Sequence, residues 1–179
     1  MEILERPQRP SGLRRLLWRL PIQLYRLRLG WLLGGRFMLL THTGRISGKR
    51  RQAVVEVVDH SADDGSYTAA SGFGPRADWY QNVLKTPEVT IEVGRRTMPA
   101  TGAPLTADEG AETMARYAPR HPTAAKALCR VMGFTVDGTE ADYRAAGRRI
   151  PFLRFTRAAL PLPKEPERRV RTGQVRAAG

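Results

Sequence analysis

Between residues 40 and 60 the chain reads LTHTGRISGKRRQAVVEVVDH, with glycines, hydroxyls and cations set between two apolar runs. Gly44 and Gly48 free the backbone N–H groups of a turn, Thr43 and Ser47 add hydroxyls, and Arg45, Lys49, Arg50 and Arg51 add positive charge. A phosphate or carboxylate is satisfied by such a set, because its oxygens take several donors at once and bind cations through charge-assisted hydrogen bonds. The spacing is not that of a Walker loop, and no helix carrying a magnesium-binding hydroxyl follows. A hairpin tip kept soluble by its charge is the competing reading, and from composition the two stand level.

A second stretch, AASGFGPRADWYQN from residue 69 to 82, follows an expected strand. Ser71, Gly72 and Gly74 make a segment where side-chain-free backbone approaches a flat ligand closely. Trp79 and Asn82 lie three apart and fall on one face of a short helix. An indole beside an amide braces or hydrogen-bonds a planar ring; the plainer alternative is a core tryptophan and an asparagine that caps a turn.

The elements that must position these residues are legible from period and punctuation. Residues 1–12 read as a poorly ordered lead-in. Over 13–33, apolar residues recur at helical period with Arg14, Arg15, Arg19, Arg26 and Arg28 between them, and Pro21 divides the run. With Trp18, Tyr25 and Trp31 this basic amphipathic helix fits a membrane interface, or packs on its own domain with its arginines in water. Strands are expected at 36–43, 52–60, 67–71, 89–93, 97–105 and 150–155, and helices at 77–85, 106–119 and 123–133. Several short strands with late helices give an α+β chain built on a small β-barrel, and the Pro/Arg/Lys-rich end after residue 157 is expected to be disordered.

The formal charge of +13 is unevenly placed: 12 basic and 2 acidic residues in 1–51, 9 and 13 in 52–147, 9 and 2 in 148–179. A mildly acidic middle argues against a nucleic-acid coat, so no nucleic-acid partner is expected. Cys129 is the only cysteine, and His42, His60 and His121 lack ligand spacing, so neither a disulfide within the chain nor a metal site is expected. No secretory signal or apolar span stands out, which points to a cytoplasmic protein.

Taken together, THTGRxSGKRR and AASGFGPRADWYQN, with the late RRIPFLRF, resemble the deazaflavin-dependent nitroreductase family of the flavin/deazaflavin oxidoreductases, over about residues 36–155. The resemblance implies a split β-barrel of about six strands in Greek-key order, flanked by helices, as one domain over 36–157 between the basic segment 1–35 and the tail 158–179. It implies coenzyme F-420, an 8-hydroxy-5-deazaflavin with an anionic phospholactyl–oligoglutamate tail, and hydride transfer from its reduced form to a small electron-poor acceptor such as a quinone, enone or nitro compound. By the same resemblance Arg45, Ser47, Lys49, Arg50 and Arg51 grip the tail, Val54 and Val55 wall the ring, Ala70, Ser71, Gly72, Phe73 and Gly74 line it, and Trp79 and Asn82 close the far side.

No acid–base pair is demanded by such chemistry; Tyr117 is the nearest substrate-facing hydroxyl, and the tyrosines that some nitroreductases place after it are absent here. Ile46 stands where relatives often carry a cation, and Phe73 replaces a plainer glycine loop, so the pocket is expected to differ in shape. The family habit of loose membrane association suits a peripheral contact through residues 13–33 on the inner face of the cell membrane. Split-barrel relatives are often dimers, which makes a homodimer an expectation, although no stretch of the sequence marks an interface. An FMN-binding relative, and a non-catalytic basic protein that binds anionic membrane or nucleic acid, are the alternatives.

Overall fold

A computed structural model describes residues 2–3 and 35–158. The basic helix expected over 13–33 and the tail lie outside the described residues. Within them the chain runs β1 (Glu2–Ile3), β2 (Phe37–Thr43), β3 (Arg50–His60), β4 (Tyr67–Ala70), α1 (Asp78–Lys85), β5 (Glu88–Val93), β6 (Arg96–Pro104), α2 (Ala107–Arg120), α3 (Pro122–Val131), β7 (Phe134–Thr135), α4 (Glu140–Gly147) and β8 (Phe152–Arg157).

Strands β2, β3, β4, β8, β6 and β5 close in that order into an antiparallel barrel, while β1 pairs with β7 outside it. Closure leaves no exposed edge, and alternation along each strand sends every second residue inward. Met38, Leu40, Val55, Val57, Tyr67, Ala69, Val89, Ile91, Leu153 and Phe155 fill the interior, joined by Tyr80 and Val83 from α1. The register shifts between Val57 and Asp59, a bulge in β3 that leaves Val58 without a partner in register, on the outer face where strand alternation already places it. There Val58, Ala70 and Phe152 meet Met114, Tyr117, Leu128 and Tyr143 of the helices in a second core.

The barrel expected from sequence is present, with differences in detail. β3 begins at Arg50, two residues earlier than expected, so Arg50 and Arg51 belong to a strand and not to the turn. β8 is displaced toward the C-terminus, and α4, β7 and β1 are additions. α4 escapes a periodicity reading because it is only 8 residues long and ends in Gly147. Its N-cap Thr139, which accepts from the Asp142 N–H at 3.3 Å, was the available signal.

Candidate functional site

The hairpin turn from Gly44 to Lys49 joins β2 to β3. Gly44 N–H donates to the Lys49 carbonyl at 2.9 Å, Gly48 N–H donates to the Gly44 carbonyl at 2.8 Å, and Gly48 takes the positive φ of 64° that closes the loop. Further hydrogen bonds tie this turn to α1. Asn82 Oδ1 accepts from the Arg45 backbone N–H at 2.9 Å and from Arg45 Nη1 at 3.1 Å. Arg45 Nη1 also pairs with the Asp78 carboxylate at 3.1 Å, and Lys85 Nζ donates to the Arg45 carbonyl at 3.4 Å. Arg45 is thus committed inside the protein, where it locks the turn against the helix.

The glycine-rich loop leads into the other end of the same helix. Ser71, fully buried, donates its Oγ–H to the Gly74 carbonyl at 2.7 Å, and Gln81 Nε2 reaches back to the Pro75 carbonyl at 2.7 Å. Gly74 adopts φ 75°, the left-handed conformation its position requires. The two sequence motifs, remote in the chain, therefore meet on α1. What remains accessible is a subset of the expected residues. Ser47, Lys49, Arg50 and Arg51 are exposed, Phe73 is 45% exposed, and Gly72, Val54 and Trp79 are half-buried.

Strand parity sorts the rest. His42 pairs with Arg51 and Thr43 with Arg50. Arg51 and His42 continue the inward rows of Val55 and Leu40 to the barrel mouth, whereas Arg50 shares the outer face with Gln52 and Val54. Val55 points into the filled barrel, so of the two valines only Val54 has a side chain on the outer face. Ala70 lies in the second core, and Trp79 packs against the barrel core with its ring edge-on to Tyr80 at 5.9 Å. Asn82 is buried and holds the turn rather than presenting a free amide.

Tyr117 sits elsewhere. Its ring is 2% exposed in the second core, and its hydroxyl donates to Glu56 Oε1 at 2.7 Å, the same oxygen that Arg36 holds at 3.0 Å. Burial, then the bond to Glu56, pushes its hydroxyl well above the ordinary tyrosine range. A groove of about 310 Å³, lined by Pro119, Lys126 and Tyr143 among others, lies between α2, α3 and α4 and involves none of the expected site residues.

Can this mouth take a polyanion? No described acid pairs with Lys49, Arg50 or Arg51, although Asp59, Asp78, Asp108, Glu109 and Glu112 are all spent on other arginines. Ser47 and Arg51 close in on Gly44: a Cβ there would come within 3.0 Å of Ser47 Oγ and 3.4 Å of Arg51 Nε. Exposed cations and the Ser47 hydroxyl fit an anionic tail, whereas the N–H groups of Gly44, Arg45 and Gly48 are spent within the protein. Two residues of this region escaped the sequence reading. His42 is buried at the mouth with Nδ1 3.2 Å from Asn82 Nδ2, and Asp78 holds Arg45. A histidine on the inward row of β2 was the only sign of the first.

A family model described as F420H2-dependent quinone reductase matches residues 21–129, more than half of the chain. No curated protein matches it. Among solved structures, an F420H2-dependent reductase is 23% identical over 67% of this chain and 93% of its own, with a TM-score of 0.46. A domain-swapped dimer is 21% identical over 75% of this chain and 98% of its own, with a TM-score of 0.47. A protein of unknown function from Agrobacterium tumefaciens is 15% identical over 84% of this chain and 60% of its own; its TM-score of 0.50 speaks for the barrel fold alone.

Proposed function

The chain belongs to the F420H2-dependent quinone reductase family, and from that premise we propose that Ser47, Lys49, Arg50 and Arg51 hold the anionic tail of coenzyme F-420 while an electron-poor acceptor, a quinone first among quinones, enones and nitro compounds, is reduced beside Phe73. The protein is an F-420-dependent reductase, and when bound the reduced coenzyme supplies the hydride. The protein's part is to bind, orient and exclude water. Arg51 at the mouth and Arg50 on the outer face point to opposite sides of β3, so together they clasp an extended tail better than one compact phosphate. Gly72 and Phe73, with Val54 and Trp79, bound the space for a flat ring. Arg45 and Asn82 act one step back, by fixing the turn.

The observation that carries this reading is the group of cations around Gly44 that no described acid neutralises. Titration of the protein with coenzyme F-420, and in parallel with FMN, read by tryptophan fluorescence, tests it. Lys49→Ala and Arg51→Ala are each expected to weaken F-420 binding about tenfold, the worth of one charge-assisted hydrogen bond. Tighter binding of FMN, or affinities that ignore both substitutions, would overturn the assignment.

Two broader statements belong to the same proposal. Residues 13–33 make peripheral contact with an anionic membrane, each cation adding about 1 kcal/mol near the surface. Liposome flotation that is unchanged by deletion of residues 1–35 would refute this. No helix among the described residues is long and apolar enough to cross a membrane. The active protein is a homodimer, which sedimentation at the monomer mass would exclude.

A further inference from the structure

We propose that His42 is a positioning residue for the anion-holding turn: as a neutral acceptor it fixes the Asn82 amide, which clamps Arg45 and with it the path from Gly44 to Lys49. This rests on the assignment of that turn to the cofactor tail.

Asn82 is only 4% exposed. Its Oδ1 must face Arg45, because two N–H donors of that residue converge on it at 2.9 and 3.1 Å. The amide nitrogen is then turned to His42 Nδ1 at 3.2 Å, and since an amide nitrogen only donates, Nδ1 must accept. That requires a neutral imidazole with its proton on Nε2. A protonated imidazole carries N–H on both nitrogens. Its Nδ1–H would confront the Asn82 NH2, and if the amide turned over to relieve the clash, its NH2 would face the two N–H donors of Arg45. Either arrangement leaves a buried donor without an acceptor and releases the clamp.

The surroundings favour the neutral form. Burial holds the imidazole below its ordinary value, and Arg51, its register partner on β3, acts in the same direction. The Thr43 carbonyl and the Asp78 carboxylate of α1 act the other way, and Arg45 stands beyond Asn82. On the β5 side the residue paired with neighbouring Thr41 is Thr90, which does not titrate.

The proposal has a sign that simple electrostatics does not share. Added positive charge at the barrel mouth should tighten binding of a polyanion in acid. Loss of the clamp should loosen it. Coenzyme F-420 is titrated into the wild type, His42→Asn, His42→Leu and Lys49→Ala between pH 5 and 8. The asparagine keeps an acceptor near the Nδ1 position without a titration, so the ratio of wild-type to His42→Asn affinity cancels protonation of the coenzyme itself. That ratio is expected near one at pH 8 and to fall in acid, by at most about tenfold per pH unit. His42→Leu is expected to bind about tenfold more weakly at pH 8.

In the protein without ligand, the Arg45 amide resonance should move with the His42 titration and stay fixed in His42→Asn. A ratio that is flat or rises in acid, or an Arg45 resonance blind to pH, overturns the role of His42 even where Lys49→Ala still weakens binding. If Lys49→Ala changes nothing at any pH, or the wild type binds no F-420, the assignment of the turn fails and this role falls with it.

Discussion

Tyr117 shows how a side chain that is chemically able is spent by the fold. Its hydroxyl and Arg36 share one oxygen of Glu56, and the ring is closed in by helix and barrel residues. Tyr117→Phe removes one charge-assisted donor but keeps the ring, so it is expected to cost about 1–2 kcal/mol of stability and to leave kcat/KM for acceptor reduction unchanged. Denaturant unfolding and steady-state kinetics on one preparation check both halves. A drop in kcat/KM of tenfold or more would return the hydroxyl to the substrate. The pH dependence has a definite sign. The hydroxyl titrates higher folded than unfolded, so its contribution is intact below the ordinary tyrosine value near 10 and is lost as pH rises above it. Tyr117→Phe should flatten that alkaline loss. Residue types at the site were legible in the sequence, because cations between glycines announce themselves. Their partners were not: Arg45 and Asn82 lie 37 positions apart and are joined only by the packing of α1 on the turn.

At the scale of elements, α2 and α4 give the sharpest contrast between what local rules encode and what they do not. The start of α2 is a capping box: Thr106 Oγ1 accepts from the Glu109 N–H at 3.3 Å and Glu109 Oε2 accepts from the Thr106 N–H at 2.9 Å. Its signature, TADE, is local, and the helix was expected there. Thr106→Ala should lower stability by about 1 kcal/mol. The crossing of α2 on α4 is not local. A Cβ on Gly110 would lie 2.5 Å from the Gly147 carbonyl oxygen, backbone that cannot move aside as a side chain can. In an isolated helix Gly→Ala gains about 1 kcal/mol; here overpacking should reverse the sign, for a net loss on the order of 1–3 kcal/mol. Urea melts of Gly110→Ala decide the matter, and a stabilised variant would refute the close crossing. The same distinction explains the strands. Hairpins β2–β3 and β5–β6 were readable from adjacent runs, whereas the β8 positions between β4 and β6 depend on distant partners.

For the whole molecule, the charge is sorted by fold as well as by sequence. The middle segment carries 9 basic and 13 acidic residues, yet among the described acids only Asp78 reaches the turn, at Arg45, and none pairs with Lys49, Arg50 or Arg51. Glu56 holds Arg36, Asp59 holds Arg116, Asp78 holds Arg45, and Glu112 and Glu140 hold Arg144. Those bridges leave the formal excess of +13 concentrated at the ends of the chain and at the barrel mouth. A polyanionic coenzyme approaching such a mouth is steered, and steering is screened by salt over a Debye length of about 10 Å at 0.1 M. The association rate constant for coenzyme F-420, measured by stopped-flow fluorescence, should therefore fall about tenfold as ionic strength rises from about 20 to about 300 mM, with a smaller change in the dissociation rate. The paired substitution Lys49→Ala with Arg51→Ala separates the sources of the field. If the mouth steers, the double variant loses most of the salt dependence. If the slope survives intact, the cations of the termini attract the ligand, and Lys49 and Arg51 act only after it has arrived.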